Sequence, residues 1–280
     1  MPLSSVPLQL LLPHPPMRLL TAALILVPFF TIGVAFAGVV GKEVQYTSDS
    51  LTMKGYLAYD DAKITKRPGI LVVHEWWGHN AYARKRAEML AGLGYVALAV
   101  DMYGDGKQAE HPDDARKFAT EVMSNMQAMK SRFMAAMDLL KNDEHVDPDR
   151  IGAIGYCFGG GVVLNMAREG ANLKAVVSFH GSLSAQHPAE KGVVKSKILV
   201  CHGGADKFES KEDIANFRAE MKNAGVDMKF VVYPGALHAF TNPDATELGK
   251  KFNMPIAYNE TADTQSWAEM EKFLTKAFKK

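Results

Sequence analysis

A chain of 280 residues that is 48% apolar and 22% charged is long enough to bury a sizeable core and is expected to be globular. Its 32 basic and 31 acidic residues give a formal net charge of +1, which excludes the basic excess of a nucleic-acid binder. Two cysteines, Cys157 and Cys201, exclude a disulfide framework.

In chain order, the run MRLLTAALILVPFFTIGVAFA from Met17 to Ala37 joins a basic start to an apolar stretch and ends Ala35-Phe36-Ala37. That is the pattern of a secretory signal with a small-x-small cleavage site. Residues 1–37 are therefore read as an extension plus signal, with Met17 as initiator. An uncleaved membrane anchor is the competing reading, weakened by Pro28 within the apolar run. The mature protein, residues 38–280, is expected to be exported and periplasmic, without stable membrane association.

The patterning beyond residue 37 alternates. It predicts a hairpin over 44–59, strand 69–74, helix 81–93, strand 95–100, a long helical region 112–140, and a strand over 151–154 that leads into a helix at 161–168. Strands 174–179 and 197–201, helix 211–224, strand 228–233 and a last helix 264–278 complete it. Strands that are apolar throughout, separated by amphipathic helices, predict an α/β fold with a mostly parallel sheet covered on both faces. No repeat or linker divides this region, so one domain is expected.

The segment RIGAIGYCFGGGVV, from Arg150 to Val163, holds the first chemical signal. Gly155-Tyr156-Cys157-Phe158-Gly159 has the form G-x-nucleophile-x-G in a strand-turn-helix context, with cysteine where serine is usual. A buried, inert cysteine is the ordinary alternative. A phosphate cradle fails on spacing, because the glycines match neither G-x-G-x-x-G nor a P-loop.

Functional residues of such a sheet gather beyond the carboxyl ends of its strands. Four segments fall there: His74-Glu75-Trp76-Trp77-Gly78, Cys157, Gly203-Gly204-Ala205-Asp206 and Gly235-Ala236-Leu237-His238. Nucleophile, acid, histidine is the chain order of the α/β-hydrolase triad. A thiol is only slightly ionised at neutral pH, so His238 is read as its proton acceptor and Asp206 as the carboxylate that orients the imidazole. The elbow geometry offers the backbone N–H of Phe158 to an oxyanion, and the loop after 69–74 offers that of Trp76.

Rival residues are weaker. His74, His180 and His202 are read as core or supporting residues, and Asp101 and Asp105 follow too early a strand. HEWWGH spaces its histidines five apart, so it is not the H-E-x-x-H zinc motif, and no metal is expected. Cys201 is read as core packing, with a Cys157–Cys201 disulfide as the minor alternative.

HEWWG, DMYG, GYCFGG, HGGAD and PGALHAF together resemble the dienelactone hydrolases, cysteine-dependent members of the α/β-hydrolase fold, over residues 44–278. The resemblance implies Cys157, Asp206 and His238 as catalytic residues and Glu75 as a carboxylate contacting the resting thiol. It also implies hydrolysis of a small ester or enol-lactone through a thioester, with no cofactor and no metal. The flanking aromatics Trp77, Tyr156, Phe208 and Phe240 are candidate pocket walls. One position departs from the family: the arginine expected four residues after the histidine, which binds a substrate carboxylate, is Asn242 here. Lys207 or Arg116 would have to replace it. A monomer with a small-molecule substrate and no nucleic-acid partner is expected; a silent binding protein or a thiol redox protein on the same fold is the alternative.

Overall fold

The hairpin that opens the fold pairs β1 (Val39–Ser48) with β2 (Leu51–Asp60) in antiparallel register from Val39 opposite Asp60 to Ser48 opposite Leu51. These elements belong to a computed structural model that describes residues 38–63 and 65–279. The expected signal segment lies outside the described residues. Among the described residues no helix is long and apolar enough to cross a membrane.

After the hairpin come β3 (Arg67–Val73), α1 (Ala81–Gly92) and β4 (Val96–Val100), then α2 (Pro112–Met123) and α3 (Met126–Lys141). The chain continues through β5 (Val146–Tyr156), α4 (Phe158–Arg168), β6 (Ala175–Phe179), β7 (Lys197–Gly203), α5 (Lys211–Asn223) and β8 (Met228–Tyr233). It ends with α6 (Ala245–Phe252) and α7 (Glu260–Ala277). The sheet order is β1-β2-β4-β3-β5-β6-β7-β8. β2 runs antiparallel to β4, and every pair from β4 through β8 is parallel.

Each central strand is buried on both faces, and its period of two sends alternate residues to opposite layers. In β3, Leu71 and Val73 join Phe133, Val163 and Met221 on the face covered by α3, α4 and α5. Ile70 and Val72 join Ala87, Leu90, Met270 and Leu274 on the face covered by α1 and α7. This two-sided burial is why the strands read as unbroken apolar runs.

Two elements differ from the sequence expectation. The helical region 112–140 is two helices, because Asn125 leaves the helical conformation and its side chain accepts the Ala128 N–H at 3.0 Å, starting α3 anew. Helix α6 has no counterpart in the sequence reading. It is short and polar, and it forms because Leu248 and Phe252 pack against Trp77, a contact that local pattern does not contain.

Candidate active site

The turn between β5 and α4 sets the position of Cys157. Its backbone has φ 52° and ψ −116°, a region that costs an L-residue about 1–3 kcal/mol and persists only where its surroundings hold it. Those surroundings are specific. The Cys157 N–H donates to the Phe179 carbonyl at 3.0 Å and to His180 Nδ1 at 3.2 Å, while the Gly159 N–H donates to the His74 carbonyl at 3.1 Å. A Cβ on Gly155 would lie 2.0 Å from the Gly159 carbonyl oxygen, and one on Gly159 would lie 2.3 Å from the Val73 carbonyl oxygen. Backbone atoms cannot yield, so only glycine lets strand, turn and helix approach this closely.

Strands β7 and β8, beyond β6 in the sheet order, bring the other groups in. His238, after β8, places Nε2 3.0 Å from Cys157 Sγ and Nδ1 2.8 Å from Asp206 Oδ2, after β7. Asp206 Oδ1 also accepts the Phe208 N–H at 2.9 Å. Burial works against the imidazolium, but Cys157 and Asp206 outweigh it and hold His238 well above its ordinary value. Burial likewise opposes ionisation of Asp206, and its hydrogen bond to His238 wins, keeping the carboxyl low. The three side chains therefore form one hydrogen-bonded, charge-coupled line.

The amides of Phe158 and Trp76 make no hydrogen bond to another described residue. Phe158 is the first residue of α4, where backbone donors lack intrahelical partners. The Trp76 loop is braced by the Tyr103 hydroxyl, which donates to the Trp76 carbonyl at 2.9 Å. Asp101 braces the next loop by accepting the amides of Tyr103, Gly104 and Gly106 at 2.8–2.9 Å. It is a structural carboxylate and bonds no member of the thiol line.

A cavity of about 360 Å³ opens onto Cys157 and His238, with Trp76, Trp77, Met123, Phe158, Phe208 and Ile256 among its apolar walls. Phe208 is 52% exposed and its ring centroid lies 4.7 Å from that of His238, at the cavity mouth. Tyr156 and Phe240 do not belong to the wall. Both are fully buried, Tyr156 stacked on Phe179 and Phe240 packed against Tyr233 and His180. Strand periodicity explains Tyr156, because it points to the face opposite the cavity.

Glu75 also differs from expectation. It lines the cavity but makes no hydrogen bond to Cys157; its Oε2 accepts the Asn242 amide at 2.6 Å, and Oε1 is buried without a hydrogen-bond partner. Burial pushes this carboxyl up to about 7, against the lowering effect of Asn242. Lys207 and Arg116 are exposed and stand outside the cavity wall. Cys157 and Cys201 are both free, and Cys201 is fully buried, accepting a hydrogen bond from the Tyr233 hydroxyl at 3.7 Å. The minor disulfide reading is thus overturned. Among the described residues no group of His, Cys, Asp or Glu is arranged to hold a metal ion.

One contributor escaped the sequence reading, and His180, expected as a core or supporting residue, has a defined role. Glu209 lines the cavity, and its signal was its place three residues after Asp206 in the same strand-end loop. His180 supports the turn. Its Nδ1 accepts from Cys157, so Nε2 carries the proton and donates to Thr241 Oγ1 at 2.7 Å; burial keeps the ring well below its ordinary value and neutral.

Comparison with known proteins agrees with this architecture. A relative from Aquifex pyrophilus, named Protein usf, is 30% identical over 226 residues, covering 79% of this chain and 96% of its own. The solved structure of m3DLH superposes with a TM-score of 0.82 at 36% identity, covering 86% of this chain and 100% of that one. A dienelactone hydrolase-like promiscuous phosphotriesterase from metagenomic libraries gives a TM-score of 0.81 at 33% identity, with 86% and 100% covered. The pattern described as the dienelactone hydrolase family matches residues 53–278, and by that match, on an eight-stranded α/β-hydrolase sheet, the chain belongs to the dienelactone hydrolase family.

Proposed function

We propose that the chain hydrolyses a small carboxylic ester or enol-lactone through a Cys157–His238–Asp206 triad and a thioester intermediate. The observation that carries this reading is the pair of hydrogen bonds, 3.0 Å from Cys157 Sγ to His238 Nε2 and 2.8 Å from His238 Nδ1 to Asp206 Oδ2. Nucleophile, base and orienting carboxylate in that geometry are what acyl transfer requires.

In this mechanism the Cys157 proton resides on His238 Nε2 and the thiolate attacks the substrate carbonyl carbon. The carbonyl π electrons move onto oxygen, where the Phe158 and Trp76 amides donate to the oxyanion; such donors are worth about 3–4 kcal/mol in related reactions. Collapse breaks the carbon–oxygen bond and His238 protonates the departing oxygen, leaving an acyl group on Sγ. In a lactone that oxygen stays tethered. Water then attacks the thioester with His238 taking its proton, the carbon–sulfur bond breaks, and the acid leaves. Asp206 holds the imidazole tautomer throughout and remains ionised. The same reading takes residues 17–37 as an export signal, supported by the sequence pattern described above.

The test is acid quench during turnover of a slow ester, followed by intact mass and peptide mapping. An acyl adduct on the Cys157 peptide is expected. Full esterase activity in Cys157→Ala, or an adduct confined to Cys201, would overturn the reading.

A further inference from the structure

The apolar cavity over Cys157 is unbalanced in charge. Two carboxylates, Glu75 and Glu209, line it, and no lysine or arginine does so among the described residues. Its one basic wall group, His238, is committed to Asp206 and Cys157. Whether the shared proton sits on sulfur or on the imidazole, the line of Cys157, His238 and an ionised Asp206 sums to about −1. The two further carboxylates add to that field.

The buried Arg86 is engaged elsewhere, and Lys207 and Arg116 stand outside the cavity wall. The Arg86 guanidinium lies behind the site, 5% exposed, bonded to Asp263 Oδ1 at 2.7 Å and the Thr241 carbonyl at 2.6 Å. Asn242, buried and outside the cavity wall, gives an amide N–H to Glu75, and its Oδ1 accepts the Asp244 N–H at 3.0 Å. Conversely, the buried Glu75 Oε1 is an acceptor with no partner, and such atoms are costly unless a donor or positive charge reaches them. Trp76, Trp77 and Phe208 present aromatic rings in the same wall, surfaces that attract a cation when water is excluded. Glu209 accepts from the Ser182 side chain and the Leu183 backbone amide, which hold its carboxylate at the cavity wall.

We propose that Glu209, acting with the free oxygen of Glu75, sets the charge preference of this site: it takes ammonium-bearing esters in preference to neutral ones and rejects esters that carry a carboxylate. The proposal rests on the hydrolase reading above and names the substrate class of that same cavity. Charge of one sign in a low-dielectric cleft raises the local concentration of the opposite sign and repels its own.

Three aryl acetates test it: 3-(trimethylammonio)phenyl acetate, its neutral isostere 3-tert-butylphenyl acetate, and 3-carboxyphenyl acetate. Each kcat/KM is measured at pH 8 and divided by the ester's own rate with hydroxide, to remove leaving-group reactivity. The expected order is cation, neutral, anion, with a cation-to-anion ratio above about thirtyfold that shrinks in high salt. Glu209→Gln should lower that ratio about tenfold, equivalent to about 1.4 kcal/mol, and Glu209→Lys should lower it further. A ratio near one in the unaltered protein, or a ratio unmoved by both substitutions, overturns the proposal. If Cys157→Ala instead hydrolyses all three esters at the unaltered rate, the triad reading fails and the charge preference is judged on its own ratio.

Discussion

Asn242 ties one oxygen of Glu75 by a 2.6 Å hydrogen bond while the other is buried with no partner. A half-satisfied buried carboxylate is a cost to the fold, and the group responds by moving up from 4.5 to about 7, chiefly through burial. An acid whose value is raised on folding imposes nothing below its unfolded value, where both states are protonated. The penalty grows as pH rises through 4.5 to 7 and is complete above that window.

Glu75→Gln should therefore stabilise the protein at pH 8 by about 3 kcal/mol, since each tenfold change in a group's proton affinity on folding is worth about 1.36 kcal/mol, and by little at pH 4.5. Urea unfolding of both proteins at the two pH values measures it. An equal difference at both would show that the carboxylate is not strained in the folded state. Stability withheld at a cavity wall of this kind is a common accompaniment of function.

The 3.0 Å contact between His238 and Cys157 makes the imidazole a test of thiol reactivity under the proposed mechanism. Cys157 and Asp206 hold His238 well above its ordinary value, against burial, so an imidazolium faces the sulfur at neutral pH. Alkylation of Cys157 by iodoacetamide at pH 7 is expected to slow at least about tenfold in His238→Ala, since the thiolate is the reacting species. Cys201 should stay unmodified until unfolding, because burial pushes its thiol up to about 12. An alkylation rate unmoved by His238→Ala would show that the imidazole does not activate the sulfur.

The strand-end positions of Cys157, Asp206 and His238 were legible because chemistry and topology agree in the chain: G-x-C-x-G sits on a strand-turn-helix, and acid and histidine follow later strands in order. Glu75 was legible as a site residue but not in its contact. Whether it faces Sγ or Asn242 depends on a side-chain choice between residues 167 positions apart, and no local pattern encodes it. Tyr156 and Phe240 were misplaced because motif proximity says nothing about which face a side chain takes. Helix α6 and the split at Asn125 were missed for a different reason: one is held by the tertiary contact with Trp77 and the other by a single capping side chain. Glu209 stood beside a recognised motif, yet only the assembled cavity shows that it lines the wall.

Beneath the turn, a buried network links the fold's stability to the site. Arg86 donates to the Tyr82 hydroxyl at 3.2 Å, which pairs with Thr241 Oγ1 at 2.6 Å, and Thr241 accepts from the His180 ring that bonds the Cys157 amide. Asp263 balances Arg86 at 2.7 Å, with side chains 5% and 15% exposed. Burial raises the Asp263 carboxyl in spite of the guanidinium, so the pair as a whole recovers little more than the cost of its own desolvation. Removing one partner is another matter. Arg86→Met leaves Asp263 uncompensated, strips the Thr241 carbonyl of its 2.6 Å donor, and should destabilise the protein by about 3–5 kcal/mol. The double variant Arg86→Met with Asp263→Leu removes both charges and should recover at least about 2 kcal/mol of that loss. Urea unfolding of the two single variants, the double variant and the unaltered protein completes the cycle. A double variant as unstable as the sum of its singles would mean that the two charges do not interact, and that the bonds to Tyr82 and Thr241, rather than the ion pair, hold the floor of the site in place.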